Sequence, residues 1–141
     1  MEIIRVVVPG IFLILEGVRD LKKRKISMTS VFLTGILGIL FGIPLIKDNF
    51  ISMLGGIAIG LVCLLIAGLT NEKVGYGDGW VLTVMGIYLG FRSNLYLLSV
   101  SLFLASLTSV LLLISKKAGR KTELPFVTFM IPGYFLLIAI R

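Results

Sequence analysis

The chain has 141 residues, 57% hydrophobic and only 15% charged, with 14 Lys and Arg against 7 Asp and Glu. Soluble domains carry about 25% charged residues; with a mean hydropathy of +1.08, too few polar side chains remain to cover a globular surface. That excludes an ordinary soluble enzyme, a disordered tail and a disulfide scaffold, while the lack of His removes most zinc chemistry and any Ser/His or Cys/His nucleophile.

A membrane-crossing helix needs about 20 apolar residues. Six segments meet or approach that length, at about 3–19, 28–46, 51–70, 78–91, 95–115 and 126–140. The expected fold is therefore all-α: one polytopic membrane domain over 1–141, a compact bundle of about six transmembrane helices. The first segment has Glu2 and Arg5 but no basic leader, carries Glu16 and lacks a small-x-small site, so it reads as a span and not as a cleavable signal. The third contains Cys63, which allows no internal disulfide and reads as a small packing or lipid-facing residue. The apolar runs show no period-two alternation, so a barrel is not expected. Glycines four apart (Gly38 and Gly42, Gly56 and Gly60, Gly86 and Gly90) are spaced for close helix packing.

The connections set an orientation. Arg19, Lys22, Lys23, Arg24, Lys25, Lys73, Lys116, Lys117, Arg120 and Lys121 fall on one side, 10 cations in all, against Arg5, Lys47, Arg92 and Arg141, 4 cations, on the other. Basic residues favour the cytoplasmic ends of short loops. Both termini are thus expected outside and the 21–27, 71–77 and 116–125 connections in the cytosol. The net charge of +7 reads as this membrane bias, with no nucleic-acid partner expected; the bilayer is the partner that composition implies.

Seven acids permit a full census. Glu2, Asp48, Glu72 and Glu123 fall at the terminus or in loops and read as solvated. Glu16, Asp20 and Asp78 remain. Asp20 ends the first span, about 25 Å along from residue 3 at helical rise, hence near the cytosolic interface. Asp78 opens the fourth span from the same side, so two aspartates 58 residues apart are expected at one depth on one face. The fourth apolar run, 79–91, has 13 residues, or about 20 Å against a hydrocarbon core of about 30 Å. Either its helix begins nearer residue 74 or Asp78 is recessed.

Two neighbouring carboxylates share one proton, so one can act as base toward water while the other acts as acid toward a carbonyl. That chemistry requires no His, metal, thiol or cofactor. Asp78 lies in Gly75-Tyr76-Gly77-Asp78-Gly79, where glycines let a second backbone approach the acid. The plainer reading of the same residues is a flexible turn with a helix-capping aspartate. Glu16, one turn before Asp20, either influences the acidic pair or pairs with Arg19 or a basic loop.

The Gly75-Tyr76-Gly77-Asp78 motif opening a span, with Asp20 at the cytosolic end of an earlier one, resembles the type IV prepilin leader peptidase family, intramembrane aspartyl proteases similar in motif to the presenilin group. In that family the first aspartate precedes a basic stretch and Ile-Pro-Asn. Here Asp20 precedes Leu-Lys-Lys-Arg-Lys and Ile26-Ser27-Met28, with Ser and Met in place of Pro and Asn. Pro125-Phe126 resembles the family's Pro-Phe segment, Thr128 standing where a second Pro is often found, and Trp80 stands where many members have Lys. The resemblance implies catalytic roles for Asp20 and Asp78, motif roles for Gly75 and Gly77, and a prepilin or pseudopilin substrate cut at the cytosolic face of the inner membrane. It also implies a minimal form without the N-terminal cysteine domain of larger members. A transporter using Asp20 and Asp78 as proton or cation ligands remains the rival, although such sites tend to lie near the midplane. A purely structural assembly subunit would leave the co-located acids without a role.

Overall fold

The computed structural model describes residues 2–42, 49–71, 75–117 and 124–140. Among these the chain forms helices and no strand: α1 (Glu2–Lys23), α2 (Met28–Gly42), α3 (Phe50–Leu69), α4 (Tyr76–Ile114) and α5 (Phe126–Ile140). Asp48, Glu72 and Glu123, read as solvated loop acids, lie outside the described residues, as do Lys47, Lys73, Arg120, Lys121 and Arg141.

α3 shows why this is a membrane bundle. Its buried residues are Gly56, Gly60 and Ala67, whereas Ile51, Leu61, Val62, Leu65 and Leu69 are exposed. Small residues inside and large apolar ones outside invert the pattern of a water-soluble helix, and the arrangement is stable where the surroundings are lipid. α3 and α4 are long and apolar enough to cross a bilayer, while α2 and α5 are apolar but shorter. The chain is an all-helical polytopic membrane protein.

The fourth and fifth of the six expected segments run together as one element with a break inside it. α4 has 39 residues, about 58 Å if straight, and contains both the fourth and fifth expected segments. Gly90 interrupts it at φ 74 and ψ −174, a conformation open almost only to glycine. Asn94 Nδ2 donates to the Leu82 carbonyl at 3.0 Å. In a continuous helix these residues would stand about 18 Å apart along the axis, so the two legs fold back beside each other. The polar 92–94 stretch read as a connection is therefore helical, and Asn94 is fully buried within the bundle.

Glycine permits the packing of α3 against this hairpin. A Cβ on Gly56 would lie 2.9 Å from Gly86 Cα, and the Gly56 carbonyl accepts the second Asn94 Nδ2 bond at 2.9 Å. The remaining helices are tied by buried polar groups: Tyr88 Oη donates to Thr34 O at 2.8 Å and Tyr134 Oη to Val6 O at 2.6 Å. Leu13, Leu82, Met85, Leu97 and Met130 fill the core between them, with Cys63 packed partly buried against it. α1 also runs further than expected, to Lys23, so Asp20 lies within its last turn and does not end it.

Candidate active site

Asp20 is buried, and its Oδ2 accepts the Val127 N–H at 3.2 Å. Val127 is the second residue of α5, where an N–H has no partner within its own helix. The Asp20 carboxylate supplies that partner and faces the positive end of the α5 dipole. The approach to α5 is local as well. Pro125 O accepts the Thr128 N–H at 3.2 Å, and Thr128 Oγ1 donates to Gly17 O at 3.1 Å. A Cβ on Gly17 would come within 2.5 Å of Ile131 Cδ1, so α1 and α5 touch closely below the carboxylate.

Asp78 is the third residue of α4. The capping reading is corrected, because Gly75 (φ −66, ψ 131) holds the N-cap position and there is no side-chain cap bond. The Asp78 N–H donates to Gly75 O at 3.2 Å, and its carboxyl folds back so that a Cβ on Gly75 would lie 3.0 Å from Oδ2. No hydrogen bond from a described residue reaches that carboxyl. The helix begins at Tyr76, two residues after the earlier of the two starts considered.

Gly77 joins the two aspartates' elements. A Cβ there would be 2.5 Å from Ile26 Cδ1 and 3.2 Å from Ile26 Cβ. Hydrogen at this position therefore lets the turn after α1 seat directly against the first turn of α4. Asp78 consequently lies within electrostatic range of Asp20, as well as of Cys63. The structure thus brings Asp20, Asp78, Gly75 and Gly77 to one end of the bundle. Trp80 turns toward the core and packs partly buried against it.

Glu16 makes no hydrogen bond to either aspartate. It is fully buried; Oε1 accepts from Arg19 Nη1 at 2.9 Å and Oε2 from the Ser27 N–H at 3.0 Å. The Arg19 pairing agrees with the plainer of its two readings. A cavity of about 920 Å³ opens at the other end of the molecule, around Gly90, lined by Arg5, Ser52 and Arg92 among others, with no carboxylate among the described residues that line it. Among the described residues no three His, Cys, Asp or Glu side chains gather as a metal site.

The fold is that of a helical membrane bundle, with Asp20 and Asp78 at one end of it. The model of the type IV leader peptidase family matches residues 7–114, a stretch that contains both aspartates and the glycine motif, and the chain belongs to that family. It is a peptidase embedded in a membrane. Comparison with curated proteins and with solved structures gives no match. Val127, which orients Asp20, lies beyond the matched stretch. Sequence reasoning missed this contact because nothing in local patterning links residues 107 positions apart.

Proposed function

We propose that the chain is an intramembrane aspartic endopeptidase that removes the short basic leader from prepilin or pseudopilin precursors at the cytosolic face of the inner membrane. The observation that carries this reading is the convergence of Asp20 and Asp78 through the Ile26–Gly77 contact. One carboxylate takes a proton from water as the oxygen attacks the scissile carbonyl carbon. The protonated partner gives its proton to the carbonyl oxygen, forming a gem-diol. Collapse of the gem-diol breaks the C–N bond, with a proton passing to the departing amine. The pair titrates as a unit, so the two steps belong to the dyad and not to either residue. At Gly75 an added Cβ would meet only the Asp78 carboxyl, which leaves room there for an extended substrate backbone, while Gly77 seats Ile26.

The basic residues Lys22, Lys23, Arg24 and Lys25, directly after Asp20, support a cytosolic location of that end. The test is cleavage of a co-expressed prepilin. Asp20→Asn and Asp78→Asn each abolish processing while the protein remains in the membrane fraction. Full cleavage by either variant would overturn the assignment.

A further inference from the structure

Glu16 is the most deeply buried acid among the described residues, at 0% exposure against 8% for Asp20, and the chemistry above does not use it. A buried carboxylate carries a large desolvation cost unless it is paired and hydrogen-bonded, and both of its oxygens are occupied. Both partners lead to the same place. Ser27, whose N–H Glu16 accepts at 3.0 Å, directly precedes α2, and its own Oγ accepts the Ser30 N–H at 3.4 Å. Arg19 Nη1 bridges Glu16 Oε1 at 2.9 Å and Ser30 Oγ at 2.7 Å. One carboxylate therefore fastens the second half of α1 to the first turn of α2, across the 24–27 connection. Ile26 lies inside that fastened turn and is the residue that seats on Gly77.

We propose that Glu16 is a positioning residue: by anchoring the turn between α1 and α2 it holds Ile26 against Gly77 and so sets the separation of Asp20 and Asp78. The proposal rests on the peptidase reading for its effect on catalysis, but not for its effect on geometry. Glu16 touches neither aspartate by hydrogen bond; it acts through Ser27, Ile26 and Gly77. The proline of the family's Ile-Pro-Asn pattern has no N–H to donate. In this chain Ser27 supplies one, and Glu16 receives it.

Two readouts test the proposal. The first is a cross-link. Ile26→Cys with Gly77→Cys, in a Cys63→Ser background, places two Cβ atoms 3.2 Å apart, a few tenths of an ångström inside the roughly 3.5–4.5 Å range of disulfides, which a small shift of the turn reaches. Membranes treated with a mild oxidant form this bond efficiently when Glu16 is present. Glu16→Gln retains it, since an amide oxygen still accepts from Ser27, and Glu16→Ala lowers the initial rate about fivefold or more. The second is processing by chains with native Ile26 and Gly77. Glu16→Ala lowers kcat by about ten- to a hundredfold, the range for small misplacements of reacting groups, with KM within about twofold, and Glu16→Gln restores most of kcat. Should Glu16→Ala not accumulate, Arg19→Met probes the network from its half-exposed end, leaving the buried charge without its cation, and moves both readouts in the same direction. Unchanged cross-linking and unchanged kcat in Glu16→Ala, or in Arg19→Met in its place, overturn the proposal. Failure of the peptidase reading looks different: Asp20→Asn or Asp78→Asn would still cleave, while the cross-link would remain dependent on Glu16.

Discussion

A single methyl group probes the contact at Gly77. Its Cβ would meet Ile26 Cδ1 at 2.5 Å, the flexible tip of a side chain, and Ile26 Cβ at 3.2 Å, which gives way less easily. Gly77→Ala is therefore expected to slow processing by about tenfold, a loss typical of slight misplacement. Adding Ile26→Ala removes the obstructing atoms and recovers part of the loss, and a double-mutant cycle on kcat measures that coupling. If the two changes are simply additive, the contact does not set the site. At this scale the meeting of Asp20 and Asp78 at one end of the bundle was legible because only seven acids exist and charge bias sorted them by side. Their immediate partners were not. The Val127 N–H on Asp20 and the Ser27 N–H on Glu16 are backbone groups, which every residue but proline carries, and no residue type announces them.

Among the elements, α5 follows its expected bounds and α2 its expected start, since Pro125 and the N-cap Ser27 mark where each begins. The reversal inside α4 was misplaced by a few residues for a physical reason. Arg92, Ser93 and Asn94 are polar and resemble a connection, yet the chain turns where a positive φ is tolerated, at Gly90. Asn94 is then free to enter the core and donate to two carbonyls, Gly56 O on α3 and Leu82 O on the first leg of α4. The break is finished by Ser52, whose Oγ accepts the Phe91 N–H at 3.1 Å. Gly90→Ala forces a side chain into a conformation that costs about 1–3 kcal/mol and brings its Cβ to 2.5 Å from Ser52 Oγ. A drop of several degrees in the thermal unfolding midpoint in detergent is expected. A midpoint equal to that of the native protein would mean the turn does not depend on glycine.

For the molecule as a whole, apolar composition correctly gave a lipid-facing exterior, and the exposed Phe32, Leu61, Phe103 and Leu111 display it. Chain length relative to the bilayer is the other property at this scale. The first leg of α4 spans 76–89 before its break, 14 residues; at helical rise it reaches about 21 Å, against a hydrocarbon core of about 30 Å. Such mismatch is met by thinning the surrounding lipid or by adjustment of the protein, at fractions of a kcal/mol per Å. Reconstituted into bilayers of increasing acyl length, the protein is expected to lose thermal stability steadily from about 14 to about 22 carbons, measured by unfolding in nanodiscs. A flat response would show that the short leg is accommodated by tilt of its neighbours instead. The hairpin at Gly90 thus reaches beyond the chain itself. Where lipid thins around the short leg, a full-length apolar helix, such as that of the proposed substrate, does not match its local surroundings. On entering that region, such a helix has roughly 9 Å more greasy length than the membrane there can cover. The surplus must emerge into water at one surface, and a stretch of backbone freed from lipid in that way is open to hydrolysis.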